Sequence, residues 1–476
     1  MSSMSSFRGG YAPRRGRGGW SKTPFVKQKR EHTKPDTNKH PLGELLKTIE
    51  NSDLKSQPSA LPADALTSDV RYVASYNWRN DVGATILVPG KPPLWTPLKE
   101  AQRLNEDNGI YYRDPNAARS PDYPITPVVQ AVLETNPNFD TADVDIVACG
   151  STLGNLLRFV RGQDKPFRFM VETIGNSVFF VRKENDPKET IDGVRGFGHS
   201  FPEAYTTWEP EVKGSEAHQR VIQYKFGGMT CMIRFECDGY LKDKITDGKH
   251  GTDVLDKPKS NGDDLLSAFN KTAITQPLMN QGSGTERVKI KRGGSEIPQR
   301  SIFDLKTRSG KYKTDIDMSD ILPQLWVKQV PNFIVAYHDG AGLFRDIRVQ
   351  DVRTEVHKWE EDNIDAIRRL AVLLKKLVTF AREDGGLLEV YSPGTDRLEV
   401  RKQHGQGKNA LPHSLRDEWA SKSKANMYLS DSDDGGYTLK DGYDSDGGWK
   451  ADSEDEEPDY TACSAEDCGY CGKCTY

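Results

Sequence analysis

The sequence predicts an α+β fold, a central mixed β-sheet domain with flanking helices and a disordered tail at each end. Three observations predict it. Apolar runs through the middle of the chain are short and paired around glycine turns, the pattern of antiparallel hairpins. Between residues 356 and 383, Val356, Trp359, Asn363, Ile364, Ile367, Leu370, Leu374, Leu377 and Val378 fall at spacings of three and four, which specifies a core-facing helix. No regular alternation of strand and helix runs along the chain, which argues against a doubly wound parallel sheet.

Residues 1–40 carry ten Lys/Arg and two acidic residues and read as a disordered basic arm. In it, Arg8-Gly9-Gly10-Tyr11 and Arg14-Arg15-Gly16-Arg17-Gly18-Gly19-Trp20 interleave arginine, glycine and aromatic residues. Such arms bind RNA through phosphate contacts and base stacking, which makes Arg8, Arg14, Arg15 and Arg17 candidates. A solubilising tail without a fixed role is the other reading. The globular part is expected to run from residue 41 to 415. Leu42, Leu45, Leu46 and Ile49 predict a short amphipathic helix at its start.

Strands are then expected at residues 70–78 and within 83–97, and a buried strand followed by a helix within 143–160. Hairpins are expected at 167–183, turning at Gly175-Asn176, and at 219–241, turning at Gly227-Gly228. Residues 242–298 are polar and read as a long surface insertion. Beyond them come a strand at 302–306, a helix at Asp320–Gln329, a strand at 333–337 and the long helix already described. His218 and His250 are isolated and read as surface residues.

Of the 476 residues 35% are apolar, and the net charge is −4. The mean hydropathy of −0.70 implies that a sizeable part of the chain lies outside any core. No run reaches the length of a membrane span, and no apolar signal core opens the chain. The expectation is a soluble, intracellular protein with no membrane partner. Seven cysteines in a chain of this length do not suggest a disulfide framework.

Two segments carry the chemistry. Phe235-Glu236-Cys237-Asp238 and Phe303-Asp304-Leu305-Lys306 each place charged groups two residues apart in a β-type run. Residues i and i+2 of a strand share a face. Glu236 with Asp238, and Asp304 with Lys306, could therefore converge in one cleft. Crowded carboxylates suit a hard cation such as Mg²⁺ or Mn²⁺, and a cation so held activates water for phosphodiester hydrolysis. Two strands with solvated outer faces are the ordinary alternative.

The order of these segments resembles the DXO-type (Rai1-like) RNA decapping nucleases over roughly residues 70–390. The family's G-x-x-hydrophobic-E motif is resembled by Gly198-His199-Ser200-Phe201-Pro202-Glu203, with one extra residue. Glu236-Cys237-Asp238 and Asp304-Leu305-Lys306 resemble the E-hydrophobic-D and E-hydrophobic-K motifs, with Asp at 304. Gln324, seven residues before Pro331, resembles the glutamine ahead of a G-V-P strand entry. The resemblance implies a metal-dependent RNA 5′-end decapping or exonuclease-type hydrolase acting on incompletely or non-canonically capped RNA. By it, Glu203, Glu236, Asp238 and Asp304, with the Leu305 carbonyl, hold divalent cations, and Lys306 and Gln324 position the water and the scissile phosphate. It also implies a nuclear or cytoplasmic setting and a nuclear 5′-to-3′ exoribonuclease as partner. Cys149 stands where the family has an arginine for the 5′ phosphate, and Arg158 and Arg161 are candidates to replace it. A catalytically weakened RNA- or protein-binding member of the same fold is the alternative, and a DNA nuclease a third.

Residues 430–459 hold twelve Asp/Glu and two Lys, within an acidic linker expected at 416–459. In the tail beyond it, residues 460–476, Cys463, Cys468, Cys471 and Cys474 have spacings that suit a Cys₄ zinc site. Free thiols are the competing reading.

Overall fold

The computed structural model describes residues 34–54, 66–163, 165–191, 194–246, 286–310, 315–394 and 396–427. Its strands split their side chains between opposed apolar layers. In β5 (Ile146–Cys149), Ile146 and Ala148 join one core and Val147 the other, the period of two that a strand imposes. Both faces of this sheet are covered, so its central strands read as unbroken apolar runs.

The larger sheet has eleven strands. In spatial order they are β1 (Leu45–Glu50), β17 (Arg397–Lys402), β16 (Leu388–Ser392), β6 (Phe167–Ile174), β7 (Ser177–Arg182), β5, β10 (Met229–Glu236), β9 (Ser215–Phe226), β2 (Ser68–Arg79), β3 (Thr85–Gly90) and β12 (Lys289–Gly294). It is mixed: β5 runs parallel to β7 and β10, and β12 parallel to β3, while the other pairings are antiparallel. A second sheet of six strands follows the order β15 (Phe344–Asp351), β14 (Asn332–His338), β13 (Ile302–Ser309), β11 (Gly239–Tyr240), β4 (Leu94–Trp95) and β8 (Thr206–Thr207).

The described helices are α1 (Pro115–Arg119), α2 (Thr126–Thr135), α3 (Gly150–Val160), α4 (Ser200–Tyr205), α5 (Asp243–Thr246), α6 (Met318–Lys328), α7 (Arg353–Asp362), α8 (Ile364–Asp384) and α9 (His413–Met427). On one face of the large sheet, α3, α6 and α8 bury Leu153, Leu157, Leu325, Leu370 and Leu374. On the other face α2 and α9 supply Val128, Val132, Leu415 and Trp419. A third, smaller core lies on the six-stranded sheet around Phe201, Tyr205, Phe303 and Leu305. Among the described residues, no helix is long and apolar enough to cross a membrane.

Several expectations are corrected. The amphipathic segment at 42–49 is the edge strand β1, paired antiparallel with β17, and only its Ile49 is buried. Leu42, Leu45, Leu46 and Ile49 fit the helical period, but the open edge of β17 overrides it. The polar stretch at 242–298 ends in β12, which extends the large sheet alongside β3. The apolar stripe at 356–383 is two helices, α7 and α8, meeting at Asn363. Ordered structure continues past residue 415, because α9 inserts Trp419 into the core and Thr141 Oγ1 donates to its carbonyl at 2.9 Å. His218 is buried, with Nδ1 2.6 Å from Asn77 Oδ1. It faces inward because β9 is an interior strand, flanked by β10 and β2. His250, residues 1–33 and the cysteine tail lie outside the described residues.

Candidate functional site at the junction of the two sheets

Glu236 is the last residue of β10 and pairs with Gln219 of β9 in the large sheet. Three residues later Gly239 opens β11 and pairs with Phe303 in the smaller sheet. The chain therefore changes sheets at Cys237-Asp238. There Asp238 Oδ2 accepts from the Leu305 backbone N–H at 2.6 Å, which joins the Glu-x-Asp segment directly to Asp304-Leu305-Lys306. The buried Cys237 thiol is pushed up to about 12 by burial. The Arg220 charge opposes this, and the negative charges of Asp238 and Asp304 add to it. Both carboxylates thus act on one thiol.

Asp304 and Lys306 share a face of β13, and both are almost fully buried, 3% and 1% exposed. Lys306 Nζ stands 3.4 Å from Asp304 Oδ1. A second ammonium, not assigned from the sequence, completes the pair: Lys328 Nζ donates to Asp304 Oδ2 at 2.8 Å, and its residue is 2% exposed. Burial alone would raise the Asp304 carboxyl, but the Lys306 and Lys328 charges more than offset it and hold its pKa below the usual value. Gln324 lies one helical turn before Lys328 on α6 and is buried. Residues i and i+4 share a helix face, so the Gln324 amide and the Lys328 amine lie on one stripe. That spacing is the signal that would have marked Lys328 in the sequence.

Glu236 Oε2 accepts from Gln219 Nε2 at 3.2 Å, and Gln219 Oε1 accepts from Arg234 at 3.0 Å. Arg234 is paired in register with Cys149, the last residue of β5. Gly150 then opens α3. A Cβ added there would lie 3.6 Å from Phe235 Cβ and 3.8 Å from Lys328 Cγ. The start of α3, the end of β10 and the Lys328 side chain meet at one place, at the carboxyl ends of the parallel strands β5 and β10. Ligands of open α/β sheets bind beyond the carboxyl ends of the parallel strands.

Glu203 is placed differently. Phe201 and Tyr205 of α4 are buried in the small core, which turns the residue midway between them to the outer side, where it is exposed. Its carboxyl is raised by burial of part of the group and by the charge of Asp107. Asp107 caps this helix by accepting from the His199 and Ser200 backbone N–H groups at 2.9 and 2.8 Å. His199 stacks on Tyr111 with ring centroids 3.4 Å apart, and burial pushes its pKa down to about 4.

Arg158 and Arg161 lie toward the far end of α3, about 12 and 16 Å along the axis from Gly150. Arg158 donates to Asn155, and the Arg161 guanidinium lies 5.8 Å from the Trp359 ring centroid. Neither stands at the position of Cys149. Arg8, Arg14, Arg15, Arg17, Cys463, Cys468, Cys471 and Cys474 lie outside the described residues.

Among the described residues, no three His, Cys, Asp or Glu side chains form a group that could hold a metal ion. The donor chemistry at Asp304 agrees. One oxygen is bound by the Lys328 ammonium, the other faces Lys306, and Asp238 gives an oxygen to a backbone N–H. As arranged, these residues do not fit a divalent cation at Asp304.

No curated protein matches the chain. Solved structures similar to it include Scheffersomyces stipitis Rai1 in complex with (3′-NADP)⁺ and calcium ion, 11% identical, covering 79% of this chain and 100% of that one with a TM-score of 0.49. Candida albicans Rai1 in complex with pU5-Mn²⁺ is 9% identical and covers 81% and 100%, with a TM-score of 0.47. K. lactis Dxo1 in complex with manganese is 9% identical and covers 77% and 99%, with a TM-score of 0.43. A family model described as "Domain of unknown function (DUF8563)" matches residues 46–418. The chain belongs to that family.

Proposed function

We propose that the protein recognises RNA 5′ ends at the junction of its two sheets, on the structural plan of the decapping nucleases that its motifs resemble. The observation that carries this reading is the 2.6 Å contact of Asp238 with Leu305 N–H, which brings the Glu-x-Asp and Asp-x-Lys segments together. Lys306 and Lys328 place two ammoniums there, both facing Asp304. The arginine- and aromatic-rich residues 8–20 add contacts that are indifferent to sequence.

Binding of full-length protein to RNAs of one sequence, ending in a 5′ hydroxyl, monophosphate, triphosphate, cap or NAD, tests this. Tighter binding to one or more of the phosphorylated or capped ends, weakened by Lys306→Ala, supports it. Equal affinity for all five ends overturns it.

A second reading is hydrolysis of the bound end, favoured by the gathering of Asp238 and Asp304 beside Cys237. The same RNAs incubated with Mg²⁺ or Mn²⁺ decide between the two. Products lost in the Glu236→Ala/Asp238→Ala double variant establish hydrolysis. An inert protein that still discriminates 5′ ends leaves recognition as the function.

A further inference from the structure

The unexpected member of the junction is Lys328. Its ammonium is closer to Asp304 than that of Lys306, 2.8 against 3.4 Å. All three residues are at most 3% exposed, so water screens their charges little. The lysine is also held in place from behind. Gln299 Nε2 donates to the carbonyls of Lys328 and Gln329 at 3.3 and 2.9 Å, and Gln299 Oε1 accepts from Arg220 at 2.7 Å. Gln329, in the left-handed region with φ 51°, then ends α6. Lys328 thus stands in the last turn of its helix, where the helix dipole favours a cation.

We propose that Lys328 is a built-in counter-cation, which takes the place at Asp304 that a divalent ion would otherwise occupy and completes this half of the junction without metal. A divalent ion entering there would meet two ammoniums already directed at Asp304. It could bind only by driving Lys328 out of a buried, braced position. Removal of the Lys328 charge, with its aliphatic stem kept, should uncover a cation site that the native chain covers. The inference does not depend on RNA binding: its test contains no RNA, and loss of either reading leaves the other standing.

Thermal unfolding of the full-length protein, titrated with Mn²⁺ and reversed with EDTA, is the test. Wild type should show no saturable rise in Tm. Lys328→Met should gain a saturable rise of about 5 °C, lost again in Lys328→Met/Asp304→Asn, which separates this site from any cation binding elsewhere on the chain. A saturable rise in wild type that Asp304→Asn removes would overturn the proposal, as would a folded Lys328→Met protein indifferent to Mn²⁺. Should Lys328→Met fail to fold, wild type and Lys328→Arg carry the test. Both should be indifferent to Mn²⁺, and a Mn²⁺-dependent rise in either, lost on adding Asp304→Asn, would overturn the proposal.

Discussion

Arg168 and Glu389 form a buried bidentate pair across β6 and β16, with Nε 2.9 Å from Oε2 and Nη2 2.8 Å from Oε1. Neither side chain is more than 3% exposed. The same guanidinium donates to the carbonyls of His40 and Pro41 at 2.6 and 3.1 Å, so the pair also anchors the segment through which the basic arm joins the domain. Glu389→Ala leaves a buried guanidinium without its carboxylate. It should cost about 3–5 kcal/mol in urea unfolding and increase amide exchange in residues 34–43.

Asp304→Ala should be comparably damaging, by about 3–5 kcal/mol, because it removes the carboxylate that two buried ammoniums face. Replacing Lys306 by Met leaves Asp304 with Lys328 and should cost less. Urea midpoints of the two variants rank the two losses.

The depressed Asp304 pKa gives the pH dependence a definite sign. Its contribution to stability is present above the unfolded value near 3.8 and is lost as pH falls through the lower folded value. The difference in stability between wild type and Asp304→Asn should therefore shrink only in acid, below about pH 4. A difference that instead collapses between pH 5 and 7 would count against this assignment.

His199 acts in another window. Its folded pKa of about 4 lies below the usual 6.5, so the unfolded chain binds the proton first. Stability should fall as pH drops from 6.5 toward 4. Allowing for partial exposure, the loss is about 2 kcal/mol, and His199→Phe should flatten that slope while keeping the stack on Tyr111.

Removal of residues 1–33 should weaken RNA binding and reduce the steepness of its salt dependence, because fewer counterions are released. Affinities at several salt concentrations measure this. An unchanged slope would assign binding to the folded domain alone.

Much of the fold was legible in the sequence because strands buried on both faces leave apolar runs and glycine turns that few other structures produce. β6 and β7 turn at Gly175-Asn176 and β9 and β10 at Gly227-Gly228, as those glycines indicate. What escaped was decided by partners distant in sequence. β1 looks helical until β17 offers it an edge. β12 is too basic to read as a strand, and it forms one because β3 has a free side. At the site, Asp304 and Lys306 lie on one face of β13, as a spacing of two on a strand requires, whereas Glu236 ends β10 and Asp238 lies beyond it. The i, i+4 spacing from Gln324 could put Lys328 on the same helix face, but not show that it reaches Asp304, more than twenty residues away, nor that Glu203 would stand on the outer side of α4, beside Asp107.

The passage of the chain from one sheet to the other at Cys237-Asp238 has a mechanical meaning. Glu236 is fixed in one sheet, Asp238 is tied to a strand of the other, and a single residue separates them. Their Cα atoms can never be more than about 7 Å apart. Sliding of one sheet against the other must therefore appear here, as a change in the spacing of two carboxylates and in the Asp238–Leu305 hydrogen bond. The Glu-x-Asp segment works as a strain gauge built into the seam. A ligand that spans both carboxylates would clamp the seam, and the rigidity of the whole domain would then report its arrival.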